Sequence, residues 1–200
     1  MGKIALVTGA NGQDGSYLME LLLEKDYEVH AITRRTSQPL HDNIKHLLGQ
    51  INLHPADMTD AGSLRRAIQI SRPDEIYNLA GQSSVGLSFE QPVETLESIS
   101  IGTLNILESI RFSNLPIKFY NAGSSECFGD TGSEAANEKT LFQPRSPYAV
   151  AKATAFWLVN NYRESYNIHA STGILFNHES PLRPNRFVTK KIISSACRIS

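Results

Sequence analysis

The sequence predicts an α/β fold in which helices cover both faces of a doubly wound parallel sheet. Short apolar runs rich in β-branched residues alternate with segments of helical period along most of the chain. The connections between them are short. A strand that is followed by a helix and then by another strand is typical of parallel pairing, because the crossover needs the helix.

Six strands are predicted from the apolar runs, the third more weakly than the others. Runs of this kind are typical of parallel strands buried on both faces. They cover residues 3–8, 27–32, 51–57, 74–80, 117–123 and 168–176. Helices are predicted between them near residues 15–25, 60–71, 93–112 and 147–166. A polar loop at 130–145 precedes the last helix, and a loop of that length often forms a lid or a binding loop.

Composition excludes several classes of partner. Hydrophobic residues make up 40% of the chain and charged residues 20%, and the net charge is -1. With no long basic or acidic run, we expect neither nucleic acid nor a membrane surface as a partner. The two cysteines and six histidines form no metal-binding spacing, so no metal site is predicted. The first residues read as a strand and not as a signal peptide, which predicts a cytoplasmic protein.

A glycine-rich turn joins the first strand to the first helix. Its sequence, TGANGQDG, has the spacing G-x-x-G-x-x-G. This spacing lets the backbone approach a pyrophosphate at the helix N-terminus, as in Rossmann-type domains. The alternative is a tight glycine turn without a ligand. The turn residues expected to bind a dinucleotide are Gly9, Asn11, Gly12, Gln13, Asp14 and Gly15.

The residues after the second strand predict which dinucleotide binds. An NAD site needs an acidic residue there for the ribose 2′-hydroxyl, whereas this chain has Arg34 and Arg35. Two arginines suit a 2′-phosphate, which predicts NADP; the alternative is a solvated basic turn. Asp57 ends the third strand beside Met58 and is expected near the adenine, although a plain helix N-cap is a comparable interpretation of Asp57.

The stretch SPYAVAK suggests a catalytic pair. Ser146 suits the cap of a helix and Pro147 its first turn. Tyr148 and Lys152 then share one helix face. A nearby ammonium group favours the phenolate and would let the tyrosine act as a base. The spacing alone does not distinguish a catalytic pair from two polar neighbours on a helix surface.

Together, the glycine turn, the arginines and the Y-x-x-x-K pair resemble the extended short-chain dehydrogenase/reductase family. Five stretches are similar to the GDP-mannose 4,6-dehydratases within it. NHESP followed by FVTKK, near the end of the chain, is the most specific feature of the resemblance. The five stretches are GQDGSYL, DEIYNLAGQSSVGLSFEQP, GSSECFG, PRSPYAVAKATAFWLVNNYRESY and GILFNHESPLRP.

The resemblance implies a reaction and four catalytic residues. NADP takes a hydride from C4 of GDP-mannose, water leaves from C5 and C6, and the hydride returns to C6. Tyr148 takes the O4 proton with help from Ser124, and Lys152 holds the nicotinamide ribose and keeps the tyrosine acidic. Glu126 removes the C5 proton. The alternatives are a turn residue for Ser124 and a surface acid for Glu126.

Position 124 departs from the family, in which threonine is commoner. Serine keeps the hydroxyl and loses the methyl group that stiffens χ1, so looser positioning is expected.

Further contacts are also implied by the resemblance. His178 and Arg183 close over NADP, although a histidine alone is more often structural. Ser84, Asn177 and Lys191 face the sugar nucleotide. A further segment lines the cofactor through its backbone and consists of Leu79, Ala80, Gly81, Gln82 and Ser83.

The domain organisation follows from the same resemblance. Residues 1–176 are expected to form the NADP-binding domain, and residues 177–200 to begin a substrate-binding lobe that is largely absent from this chain. A homo-oligomer, dimer or tetramer, is expected. Two other functions stay open at this point: an NADP-dependent GDP-sugar reductase or epimerase, and a truncated nucleotide-binding fragment without turnover.

Overall fold

The computed structural model describes residues 2–34 and 42–199. In this part of the chain, six parallel strands form one sheet in the order β3-β2-β1-β4-β5-β6. The chain builds the sheet outward from β1 in one direction, then returns to its other side at β4. This confirms the doubly wound α/β prediction. The strands are β1 Ile4–Thr8, β2 Glu28–Thr33, β3 Asn52–Pro55, β4 Glu75–Asn78, β5 Lys118–Ala122 and β6 Ala170–Gly173.

Helices connect the strands and follow the last of them. The chain also contains two 3-10 helices, Asp42–Leu47 and Ser125–Phe128, and a π-helical turn, Glu97–Ile101, between α4 and α5. The α-helices are α1 Gln13–Glu24, α2 Ala61–Ser71, α3 Val85–Glu90, α4 Pro92–Leu96, α5 Gly102–Ser113, α6 Pro147–Tyr166 and α7 Val188–Ile199.

The cap residues explain where two of the helices begin. The Ser146 hydroxyl accepts a hydrogen bond from Ala149 N, and α6 covers the predicted residues 147–166. The Asp60 carboxylate accepts hydrogen bonds from Gly62 N and Ser63 N and caps α2. The N-cap interpretation of Asp57 is therefore wrong, because Asp60 occupies that position.

The predicted helix 93–112 is divided in the structure. Pro92 starts α4, and the preceding Gln91, with a φ of -130° and a ψ of 61°, lies outside the helical region that a following proline disfavours. The π turn then separates α4 from α5. Helix α3 and both 3-10 helices were not predicted, since short helices give little periodic signal.

Alternate residues of the strands pack on opposite faces of the sheet. Leu6, Ile76 and Phe119 face the layer of α2, α5 and α6. Val7 and Val29 face α1 on the other side. The parallel arrangement brings all the carboxyl ends of the strands to one edge, where ligands bind in folds of this type.

Within residues 2–34 and 42–199, no helix combines the length and apolarity needed to cross a membrane.

Candidate functional site

The glycine turn leaves the start of α1 open to an anion. Gly9 has a φ of +69°, and a Cβ there would lie 2.6 Å from the Leu79 carbonyl carbon. A Cβ at Gly15 would lie 2.4 Å from the Gly9 oxygen. Gly12 is the N-cap of α1 and offers no side-chain hydrogen bond. The first amide groups of the helix therefore lack a side-chain cap, which suits the pyrophosphate of a dinucleotide.

A polar row beneath this turn joins the ends of three strands. Thr8 Oγ1 accepts hydrogen bonds from Leu79 N at 3.2 Å and Ala80 N at 3.1 Å, and donates one to Asn78 Oδ1 at 2.7 Å. Asn78 Nδ2 donates to Asn121 Oδ1 at 2.9 Å. The row was not predicted from the sequence, although each member stands at the polar end of an apolar strand. Since Thr8 engages the amides of Leu79 and Ala80, those amides are not free for a cofactor.

The rest of this segment folds around Gln82 and Ser84. Gln82 Nε2 donates to the Ser84 carbonyl at 2.8 Å, and Gln82 Oε1 accepts from Ser84 N. The Ser84 hydroxyl caps α3 by accepting from Leu87 N at 3.3 Å. Gly81 has a φ of +135°, and both it and Ser83 are exposed. The backbone of Gly81–Ser83 is thus the part of the segment open to a ligand.

Arg34 and Asp57 form an ion pair at the outer end of the site. Arg34 Nε lies 3.2 Å from Asp57 Oδ2, and both side chains are exposed. Burial opposes the charge of Asp57, yet hydrogen bonds from Thr59 and the Arg34 cation lower the pKa of its carboxyl. Met58 is buried in the core cluster that contains residues of α2 and α5. Arg35 lies outside the described residues.

Tyr148 and Lys152 share a buried face of α6. Tyr148 is 8% exposed and Lys152 9%, which rules out two polar neighbours on a helix surface. Lys152 Nζ donates to the Ala122 carbonyl at 2.8 Å and lies 5.8 Å from the centroid of the Tyr148 ring. Burial lowers the pKa of Lys152 to about 8.

The pKa of Tyr148 is raised, because burial of the phenol outweighs the hydrogen bond from Ser124 that favours the phenolate. This differs from the expectation that Lys152 keeps the tyrosine acidic. The reason is geometric: the ammonium group points to Ala122 in this structure and not to the phenol.

Ser124 and Glu126 follow β5 in the 3-10 turn beside Tyr148. The Ser124 hydroxyl accepts from Glu126 N at 3.3 Å, so Ser124 caps the turn as well as meeting the tyrosine. Glu126 is half-buried, and its charge contributes to the raised pKa of Tyr148. The neighbouring Cys127 was not singled out from the sequence. Burial raises the pKa of its thiol to about 11.

The loop after β6 lies over the start of α1. His178 Nε2 is 2.8 Å from Asp14 Oδ1, and His178 Nδ1 is 2.8 Å from the Phe176 carbonyl. Two acceptors favour an imidazolium, and the carbonyl and Asp14 raise the pKa of His178. Ser180 Oγ donates to Gln13 Oε1 at 2.7 Å. The loop therefore covers the glycine turn through Gln13 and Asp14.

The remaining predicted residues lie in or beyond this loop. The Arg183 guanidinium stacks on the Phe187 ring at 3.6 Å. Its positive charge favours the phenolate and partly offsets the rise in the pKa of Tyr148. Asn177 and Lys191 are exposed, the latter on α7. Among the described residues, no hydrogen bond or ion pair joins these two to a predicted catalytic group. Asn11 is also in place, and its Oδ1 is buried without a partner in the described part of the chain.

In the same residues, no group of three or more histidine, cysteine or acidic side chains comes together as a set of metal ligands.

Comparison with known proteins decides the family. The sequence model of the family described as GDP-mannose 4,6 dehydratase matches residues 6–200. The chain belongs to the GDP-mannose 4,6-dehydratase family. It is 51% identical to a GDP-mannose 4,6-dehydratase of Sinorhizobium fredii over 99% of the chain and 59% of that protein. A Drosophila melanogaster relative is 50% identical over 98% of the chain and 52% of that protein. The chain thus spans about half the length of the curated family members it matches.

Solved structures agree with the fold of the family. A dTDP-glucose 4,6-dehydratase from Streptomyces venezuelae, determined with NAD bound, superposes with a TM-score of 0.88. The two sequences are 22% identical, and the match covers 98% of this chain and 62% of the Streptomyces protein. A UDP-glucose 4-epimerase from Thermus thermophilus in complex with NAD has a TM-score of 0.74 and 29% identity. The match covers 84% of this chain and 53% of the epimerase.

Proposed function

We propose that the protein converts GDP-mannose to GDP-4-keto-6-deoxymannose with bound NADP. The observation that carries the proposal is the identity of about half of all positions with GDP-mannose 4,6-dehydratases over almost the whole chain. Its support in the structure is the assembly of Ser124, Glu126, Tyr148 and Lys152 at the carboxyl edge of the sheet.

The bound nicotinamide would supply hydride acceptance from C4 of the sugar and its return to C6. The phenolate of Tyr148 accepts the O4 proton during oxidation and becomes the phenol, and the Ser124 hydroxyl holds the same oxygen by a hydrogen bond. Lys152 has an ammonium group whose pKa of about 8 leaves it charged at neutral pH. In our proposal this group binds the nicotinamide ribose, and turning from the Ala122 carbonyl would bring its charge nearer to the phenol.

The Glu126 carboxylate performs the elimination. A ketone at C4 acidifies the C5 proton, which Glu126 removes as a general base. The same carboxyl group then protonates the C6 hydroxyl, which leaves as water. Two protons are removed, from O4 and C5; one departs in the water and one returns to C5. The cofactor ends in the oxidation state in which it began.

We infer NADP as the cofactor from Arg34 and Arg35. The Arg34 guanidinium stands beside Asp57 at the end of the sheet edge, where its charge offsets that of the carboxylate. A 2′-phosphate placed there would accept charge-assisted hydrogen bonds from the guanidinium. Without the arginine, Asp57 would face the phosphate with a like charge.

Replacing Arg34 and Arg35 by alanine should erase a preference for NADPH over NADH. Each hydrogen bond to a charged group contributes about 1.5–3 kcal/mol, which is about tenfold to a hundredfold in affinity. Titrating both cofactors by fluorescence against the unsubstituted protein and the variant measures this. Arg66→Ala, which removes an exposed positive charge on α2, is the control and should keep the preference. Equal affinities in the unsubstituted protein would contradict the assignment.

Other contacts belong to the same proposal. Gly9, Gly12 and Gly15 let the backbone approach the pyrophosphate, Asn11, Gln13 and Asp14 belong to the same cofactor-binding turn, and Gly81–Ser83 line the cofactor. His178 and Arg183 close over the dinucleotide, and Ser84, Asn177 and Lys191 face GDP-mannose. The His178–Asp14 pair, which holds the loop on α1, supports this arrangement.

Domain division, assembly and location complete the proposal. Residues 1–176 form the cofactor-binding domain, and residues 177–200 begin a substrate-binding lobe; α7, which has no buried side chain of its own, supports this division.

A homo-oligomer is supported by Val93, Val150 and Trp157, which are exposed apolar side chains on the adjacent helices α4 and α6. We propose a cytoplasmic setting, where the buried thiol of Cys127 would stay reduced.

The activity is tested by incubating the purified protein with GDP-mannose and NADP. Mass spectrometry should detect GDP-4-keto-6-deoxymannose, while absorbance shows no net change in reduced cofactor. A product that still contains its C6 hydroxyl would indicate a reductase or an epimerase instead. Cofactor binding without any product would indicate a nucleotide-binding protein without turnover.

A further inference from the structure

The π turn between α4 and α5 turns three consecutive side chains inward. Its defining bond joins Gly102 N to the Glu97 carbonyl, five residues earlier. Ser98, Ile99 and Ser100 are 2%, 2% and 5% exposed. Successive residues of a regular α-helix are about 100° apart, so three of them span about 200° and rarely all face the core. The wider turn makes this burial possible.

Ile99 uses its inward position to contact two parts of the site. It packs in one apolar cluster with Tyr148, Ala151 and Ala155. On its other side, a Cβ at Gly81 would lie 2.9 Å from Ile99 Cγ1, so the isoleucine lies directly against the Gly81 backbone. Ile99 thus lies between the segment assigned to the cofactor and the helix that carries the catalytic phenol.

Hydrogen bonds fix the turn in this arrangement. Thr103 Oγ1 donates to the Ile99 carbonyl at 2.7 Å. Ser100 Oγ donates to the Ala151 carbonyl of α6 at 3.2 Å, one residue before Lys152. The turn is therefore attached to α6 both by the packing of Ile99 and by the hydroxyl of Ser100.

We propose that Ile99 is a positioning residue, held by the π turn so that the Gly81 backbone and the Tyr148 ring keep a fixed separation. The inference rests on the proposed function, in which Tyr148 and a nicotinamide bound along Gly81–Ser83 react with one sugar. A shorter side chain at position 99 would let the two surfaces approach or admit water. A misplacement of about 1 Å can reduce a rate about 100-fold.

The same geometry predicts a change in the titration of Tyr148. Burial is the main cause of its raised pKa, so water admitted by a smaller residue should lower that pKa. Glu126 and Cys127 oppose the phenolate, and Ser124 and Arg183 favour it. Lys152, 5.8 Å from the ring centroid, is the further charge on α6. None of these groups is changed by a substitution at Ile99.

The test compares Ile99→Ala with Ile110→Ala in the full-length protein. Ile110 is also 2% exposed and lies on α5, in the core under the sheet. Both variants should lower Tm. Only Ile99→Ala should lower kcat, by about 100-fold, with a much smaller change in KM, and shift the pH profile of kcat/KM to lower pH. Ile99→Val removes one methyl group and should show the same changes to a smaller degree. If Ile99→Ala does not fold, Ile99→Val takes its place and is compared with Ile110→Val.

The inference is overturned if both alanine variants change kcat equally, or if Ile99→Ala leaves kcat and the pH profile unchanged. The failure of the proposed function is a separate result, since the unsubstituted protein would then form no product. In that case the ultraviolet titration of Tyr148, measured as a difference against Tyr148→Phe, replaces the rate. A lower Tyr148 pKa in the Ile99 variant but not in the Ile110 variant supports the inference, and an unchanged one overturns it.

Discussion

Glu126→Gln should stop the loss of water from GDP-mannose while leaving the oxidation at C4 intact. Glutamine keeps the size of the side chain and removes the carboxylate that takes the C5 proton. General-base catalysis contributes about 10²–10⁴ in rate, so dehydration should fall by that factor. Because the hydride cannot return to C6, reduced nicotinamide should accumulate on the protein, and its absorbance should rise after GDP-mannose is added.

A matched control is available in the loop that follows. Glu138 is exposed, and Glu138→Gln should change neither the rate nor the absorbance. If Glu126→Gln dehydrates GDP-mannose at the unchanged rate, then another group removes the C5 proton and the role given to Glu126 is wrong.

Tyr148→Phe should block the reaction one step earlier. The Tyr148 phenolate accepts the O4 proton as C4 is oxidised, and phenylalanine fills the same buried space without a group that can accept it. Turnover should fall by about 10²–10⁴. Unlike Glu126→Gln, this variant should give no rise in the absorbance of reduced cofactor when GDP-mannose is added. The contrast between the two variants separates the oxidation from the elimination.

Tyr162→Phe controls for the loss of a buried hydroxyl on the same helix. Tyr162 is 7% exposed, and its hydroxyl donates to Glu108 Oε1 at 2.6 Å. This variant should lose stability, about 1.5–3 kcal/mol for a hydrogen bond to a charged group, and keep its activity. Equal rates in Tyr148→Phe and the unsubstituted protein would remove Tyr148 from the mechanism.

The parts of the fold that were predictable depend on neighbours in sequence. Helix α6 occupies the predicted residues because Ser146 and Pro147 mark its start locally. The strands follow from apolar runs, and only their ends differ. The π turn was not predictable, since what stabilises it is packing against Gly81 and α6, which are distant in sequence. Intrinsic helix preferences carry no such information.

The candidate site was likewise predictable only where it depends on residues that are close in sequence. That Tyr148 and Lys152 share a face follows from their spacing of four residues. That Lys152 donates to Ala122, thirty residues away in sequence, depends on where β5 and α6 meet. The direction of the Tyr148 pKa also depends on burial, which the local pattern does not determine. Family resemblance indicated the residue types, and the structure supplied their surroundings.

The polar row of Thr8, Asn78 and Asn121 constrains the alignment of three strands. A slip of one residue along β4 would place Tyr77 or Leu79 opposite Thr8, and would leave the Thr8 hydroxyl without the amide that it now meets. An unpaired polar group in the core is costly, and a slip reverses which side chains face each layer. The row therefore makes one register much lower in energy than its neighbours. The loops at the carboxyl edge begin where these strands end, so the strand register fixes their starting positions. The loops can therefore vary in sequence while the glycine turn, Gly81 and Ser124 keep the same positions relative to one another along the strand direction.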